Sequence, residues 1–224
     1  MAKILILLSN HATLGDTGEA NGTYAPELTH TVHEFDAAGV AYDLVSIEGG
    51  AAPIYGAEVE DGINDVILAN AEFQQQVQNT IAFEDIDAAD YSGVFYPGGY
   101  GVLYDLAFNE TVGSAVAGLY EAGAPVGAVC HGPAGLLPIK LSSGNSILSG
   151  KSVTGFTREE EIDFNTIEHI PYLLEEKLAR AAGKYSKVGP WGEHVISDER
   201  IITGQNPASA AGVGRAIIQQ IQSA

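Results

Sequence analysis

The chain reads as an α/β protein built on a mostly parallel sheet with helices on both faces. Three observations predict this. Short apolar runs at 3–9, 40–47, 94–96 and 124–129 alternate with segments of helical period. The connections between them are long enough to carry crossover helices. Two of the runs end in turns, Pro97-Gly98-Gly99-Tyr100-Gly101 and Cys130-His131-Gly132-Pro133, at the carboxyl ends where such sheets bind ligands.

Taken in order, Ile4-Leu5-Ile6-Leu7-Leu8 is the continuous apolar run of a strand buried on both faces, and the strand is expected over 3–9. The run is too short for a signal peptide, and no small-residue cleavage site precedes Asn10-His11. Gly15 to Gly22 reads as a loop. Pro26 opens a helix that runs to about Ala38 and stops at Gly39. Val40 to Ile47 is a second strand, and Gly49 to Gly62 is turn-rich. A helical pattern covers Asn64 to about Ile81. Val94-Phe95-Tyr96 is a short strand, Asn109 to Ala122 a helix stopped by Gly123, and Val126 lies in the strand that leads to Cys130, with a helix expected after it. Ile139 to Val153 alternates polar turns with short strands. Arg158 to Phe164 reads as a short acidic helix and Pro171 to Ala182 as an amphipathic one. Val195-Ile196 and Ile201-Ile202-Thr203 are late strands, and Asn206 is expected to cap the last helix with Pro207 in its first turn. No repeat or linker divides the 224 residues, so a single domain over 1–224 is expected.

Composition narrows the function. Twenty-nine acidic residues against 10 basic ones give a net charge of −19, which argues against nucleic acid and anionic membrane surfaces as partners. No apolar segment is long enough to span a membrane. One cysteine allows no internal disulfide and fits a reducing, cytoplasmic location.

That cysteine carries the chemistry. An apolar strand, a sharp turn and an apolar helix make a nucleophile elbow, which lifts Cys130 above the sheet in a strained conformation. A helix N-terminus aimed at the sulfur and His131 beside it would lower the thiol pKa. Adjacent side chains at such a turn either meet or diverge, so spacing leaves the Cys130–His131 contact open. Gly98 and Gly99 are small enough for backbone N–H groups to approach a substrate oxygen, with the His131 N–H as a second donor. His30 and His33 sit one helical turn apart with Glu34 adjacent. No further ligand run accompanies them, so no metal is expected.

Several stretches together resemble the ThiJ/PfpI superfamily, related to class I glutamine amidotransferases. They are Ala128-Val129-Cys130-His131-Gly132-Pro133, Lys151-Ser152-Val153-Thr154-Gly155-Phe156-Thr157, Val188-Gly189-Pro190-Trp191 and Thr203-Gly204-Gln205-Asn206-Pro207-Ala208-Ser209. They are most similar to the branch of glutathione-independent glyoxalases (glyoxalase III) and heat-inducible chaperone-like proteins. The resemblance implies a flavodoxin-like three-layer sandwich and a Cys-His-acid triad of Cys130, His131 and, counted on from Thr157, Glu161. It implies a second carboxyl, Glu27, counted back from Gly39 and held protonated against the sulfur. It also implies a homodimer and no cofactor. Tyr100 stands in the substrate-binding turn where the branch often has His. The reading that follows is an enzyme acting on small 2-oxoaldehydes such as methylglyoxal through a Cys130 hemithioacetal, with related deglycase activity and a part in stress protection. The alternatives are an amidase or protease using the same triad, and a holdase chaperone or redox sensor in which Cys130 matters through its oxidation.

Overall fold

The computed structural model describes residues 2–223. In chain order its elements are β1 (Lys3–Leu8), β2 (Thr23–Tyr24), α1 (Ala25–Ala37), β3 (Ala41–Ser46), β4 (Ile54–Tyr55), α2 (Gly62–Ala69), α3 (Ala71–Gln78), β5 (Ile81–Ala82), β6 (Gly93–Tyr96), α4 (Glu110–Glu121), β7 (Val126–Val129), β8 (Ser152–Val153), α5 (Arg158–Asp163), α6 (Leu174–Ala181), β9 (Lys184–Tyr185), β10 (Val195–Asp198), β11 (Ile201–Gly204) and α7 (Ala210–Ser223). A seven-stranded sheet runs β10-β11-β7-β6-β1-β3-β5. Its pairings are parallel except for the β10–β11 hairpin at one edge. β2–β4 and β8–β9 form two small parallel pairs beside it.

Period-2 alternation sorts the buried strand residues into two layers. Ile4, Ile6 and Leu8 of β1 pack with Leu28, Val32 and Phe35 of α1 and with Val213 and Ile217 of α7. Leu5 and Leu7 point the other way, into a core with Val112 and Val116 of α4 and Leu174 and Leu178 of α6. This is the three-layer α/β sandwich expected from the alternating pattern.

Two helical segments differ from the sequence reading. The Asn64–Ile81 stretch is two helices separated at Asn70, whose extended backbone (ψ 119°) ends α2 and whose side chain accepts the Glu72 and Phe73 N–H groups to start α3. Asn favours this capping geometry over a helix interior. Ile81 falls in β5. Asn206 does not cap α7; Pro207–Ser209 forms a short 3₁₀ turn first, and the Asn206 amide is used elsewhere.

From β1 the chain builds outward through β3 to β5, then returns to β6 and builds the other way through β7 to β11. The strand order therefore reverses between β1 and β6, and the crevice at their carboxyl ends is where a ligand site is expected. The loop from β1 to α1, the turn after β6 and the turn after β7 all arrive there. Among the described residues, no helix is long and apolar enough to cross a membrane.

Candidate active site

Cys130 leaves fully buried β7 with φ +61°, in the left-handed region that residues other than Gly seldom occupy. The backbone is pinned there from two sides. Cys130 N donates to the Gly204 carbonyl at 2.9 Å, and the Cys130 carbonyl accepts the Phe156 N–H at 2.9 Å. The strained elbow expected from the sequence is present. The helix after it is not an α-helix; Gly132–Leu136 forms one short 3₁₀ segment, and Gly132 and Gly135 both weaken a regular helix. No α-helix macrodipole from this segment therefore points at the sulfur to lower the thiol pKa.

Adjacent in sequence, Cys130 and His131 meet: Sγ lies 3.4 Å from Nδ1. On the far side of the ring, Nε2 lies 2.7 Å from Glu161 Oε1. An ionised carboxylate only accepts, so Nε2 carries the proton and Nδ1 turns its lone pair to the sulfur. Glu161 is placed by α5, whose start is fixed by a capping box between Thr157 and Glu160. Its second oxygen accepts from Thr166 Oγ1 at 2.5 Å and from the Tyr100 hydroxyl at 3.3 Å, while the Tyr100 and Thr166 hydroxyls lie 2.8 Å apart. Burial pushes the Glu161 carboxyl up, but the electrostatic attraction of the His131 ring and these hydrogen bonds outweigh it and hold it below the ordinary carboxylate value.

Glu27, in the first turn of α1, is buried on the other side of Cys130. A Cβ on Gly98 would run into both Glu27 Oε2 and Cys130 Cβ, so this glycine makes room for carboxyl and thiol to lie together. Burial pushes Glu27 up to about 8. The Cys130 thiol and the Gly98 N–H pull the other way, yet neither Glu27 oxygen is reached by a well-formed hydrogen bond. Near neutrality Glu27 is therefore a neutral acid. The Cys130 thiol is pushed up, not down, first by burial and then by the Glu27, Glu160 and Glu161 carboxyls around it. The lowered thiol pKa expected from the sequence is overturned by a dry pocket walled with acids. Gly99 follows with φ +109°, bringing the turn beneath Tyr24, whose N–H donates to the Gly98 carbonyl at 3.1 Å.

Glu27, Cys130 and His131 line a cavity of about 280 Å³ with Tyr24, Tyr55, Tyr100, Phe156, Phe164, Trp191 and Pro207. A model described as the DJ-1/PfpI family matches residues 19–220. The chain belongs to that family. It is 35% identical over 159 residues, 69% of this chain and 72% of the relative, to the probable glutathione-independent glyoxalase hsp3104 of Schizosaccharomyces pombe. Among solved structures it resembles Francisella tularensis Rapid Encystment Protein 24 kDa (REP24), with a TM-score of 0.94, 34% identity and 99% of each chain covered. It also resembles glyoxalase III of Candida albicans, with a TM-score of 0.87, 28% identity, and 98% of this chain and 97% of that one covered.

In this DJ-1/PfpI chain, Cys130, His131, Glu161, Glu27, Gly98, Gly99 and Tyr100 all converge at one point. The hydroxyl of Tyr100 faces Glu161 and Thr166, and its ring packs at a 42° tilt with its centroid 4.3 Å from that of the His131 ring. Sequence reasoning missed Thr166, because a Thr in the irregular stretch after an acidic helix carries no period or motif. It also gave no site role to Phe156 and Trp191, although both lie in the family-like stretches. His30 and Glu34 do not form a common site: His30 Nε2 faces Asp61 at 3.1 Å and Glu34 pairs with Arg215 at 2.7 Å.

Proposed function

We propose that this protein is a glutathione-independent glyoxalase converting 2-oxoaldehydes such as methylglyoxal to 2-hydroxy acids. One observation carries the reading: the unbroken relay from Cys130 Sγ through the His131 ring to Glu161, set in a pocket whose other wall is the neutral acid Glu27. His131 Nδ1 takes the thiol proton as Cys130 attacks the aldehyde carbon, and Glu161 stabilises the imidazolium. This step makes a thiolate only when it is consumed, which suits a thiol whose resting pKa is raised. The oxyanion is received by backbone N–H groups near Gly99 and His131, giving a hemithioacetal. A proton then moves from the former aldehyde carbon to its neighbour through an enediol, with His131 and Glu27 placed to exchange it. One carbon is oxidised as the other is reduced, so the balance needs no electron carrier. Water hydrolyses the resulting thioester and frees the thiol.

The test is a substrate panel without glutathione. Wild type should turn methylglyoxal into lactate and Cys130→Ala should not; hydrolysis of simple amides with methylglyoxal untouched would replace this reading by the amidase one. By likeness to the family we also read the chain as one domain acting as a cytoplasmic homodimer, which light scattering at micromolar concentrations checks.

A further inference from the structure

The cavity is asymmetric. Its polar, reactive groups lie at the buried end: Cys130, His131 and Glu27 are each 5% exposed or less. Its outer end is aromatic. Trp191 and Phe164 are 40% and 48% exposed, with ring centroids 5.5 Å apart, and Trp191 continues inward to Phe156 at 5.8 Å, which in turn lies 4.6 Å from the His131 ring. The lining holds no Lys or Arg. Exposed aromatics are usually mobile, but Trp191 is fixed. It sits at φ +63°, its backbone N–H donates to Glu160 Oε1 at 2.9 Å, and its indole N–H reaches Asp163 at 3.2 Å. Glu160 is itself fully buried and is held by Thr157, Gln205 and Asn206. A strained residue fixed by a buried carboxylate, with its ring at a pocket mouth, is the mark of a ligand clamp. A three-carbon aldehyde attached to Cys130 would leave this outer end unused, in a cavity near the roughly 300 Å³ at which small-molecule sites begin.

We propose that Trp191 and Phe164 form a subsite for the substituent of an uncharged 2-oxoaldehyde bearing an aromatic or bulky apolar group. The proposal rests on the glyoxalase reading for its chemistry. The aldehyde carbon bonds to Cys130 at the buried end and the ketone substituent points outward against the two rings, which touch one another. With no cation in the lining and acids around it, phosphorylated or carboxylated aldehydes are excluded. The reaction stays balanced as above: aldehyde plus water gives the 2-hydroxy acid.

Two measurements decide it. The first is the ratio of kcat/KM for phenylglyoxal to that for methylglyoxal. It should exceed one in wild type and fall about five- to tenfold in Trp191→Ala and in Phe164→Ala, the scale of losing one aromatic contact. An unchanged ratio in both variants, with methylglyoxal still consumed, would overturn the subsite and leave the glyoxalase reading standing. The second measurement does not depend on turnover. Trp191 is the only tryptophan in the chain, so its fluorescence reports the mouth directly. In Cys130→Ala, the neutral ketone 2-hydroxyacetophenone should quench it saturably, whereas hydroxyacetone and phenylglyoxylate should not. If neither aldehyde is turned over, the glyoxalase reading fails and this titration alone decides the subsite. Equal responses to all three ligands would reject it.

Discussion

Two glutamates flank Cys130, and they are held in opposite charge states. Glu161 on α5 and Glu27 on α1 are both fully buried. Glu161 accepts from His131, Thr166 and Tyr100 and is held below its ordinary pKa; Glu27 has no well-formed hydrogen bond and is pushed up to about 8. Burial is therefore not what decides the charge of a carboxyl. Desolvation acts on both; the electrostatic interaction with His131 first, and then the donors His131, Thr166 and Tyr100, keep Glu161 ionised, and Glu27 has no such partner. The site uses the difference: an anion orients the histidine on one side, and a neutral acid faces the sulfur on the other.

The comparison breaks most sharply at Glu161. Glu161→Gln keeps the shape but removes the charge and lets the amide select the wrong imidazole tautomer. Turnover should fall by about three to four orders of magnitude with the fold retained, the scale seen when a triad acid becomes an amide; a loss below tenfold would show that Glu161 does not orient His131. Glu27→Gln should lower turnover by about two orders, the usual scale for a general acid or base, with little change in Tm at about pH 5 or below, where Glu27 keeps its proton folded and largely keeps it unfolded. Near-normal turnover would remove Glu27 from the chemistry and reduce it to a helix-end acid.

Thr166→Val tests the donor count directly. Removing the short hydrogen bond to Glu161 Oε2 should lower kcat by about tenfold or more at unchanged KM and move the acid limb of the rate profile to higher pH, as the carboxylate loses a charge-assisted bond. Thr166→Ser should restore both, which a purely packing role would not predict.

The smallest effect is on stability, and its sign differs between the two glutamates. Glu27 is raised from an ordinary value of 4.5 to about 8, so between those pH values the folded chain keeps a proton that the unfolded chain has released. Its contribution is full below pH 4.5 and is lost as pH rises to about 8. Glu161 is lowered, so its contribution is present above pH 4.5 and is lost as pH falls through its folded value. Denaturant melts of wild type and Glu27→Gln should accordingly diverge by a few kcal/mol from pH 5 to pH 9, with the variant favoured at the alkaline end. Parallel curves would mean that Glu27 ionises normally.

Much of this was legible in the chain before folding. Strand, turn and glycine signals located the elbow at Cys130, and the resemblance singled out both glutamates by counting from Gly39 and Thr157. These features are local or lie at fixed offsets along one element, where backbone geometry transmits position faithfully. The helix expected after the elbow is a short 3₁₀ segment instead, with two weak helix formers, Gly132 and Gly135, in its five residues. The break at Asn70 was a cap hidden inside a helical period.

What the sequence determined by itself was the layout: which runs are buried strands, where helices cross between them, and which turns reach the carboxyl edge of the sheet. Tertiary structure alone decided the charges and the shape of the site. The direction of the Cys130 shift, the neutrality of Glu27 and the role of the Tyr100 hydroxyl all depend on partners tens of residues away. So does the fixing of Trp191 by Glu160. The physical reason is that electrostatics and hydrogen bonding in a dry pocket fall off over a few ångströms of space. Distance along the chain does not record those separations until the fold has closed.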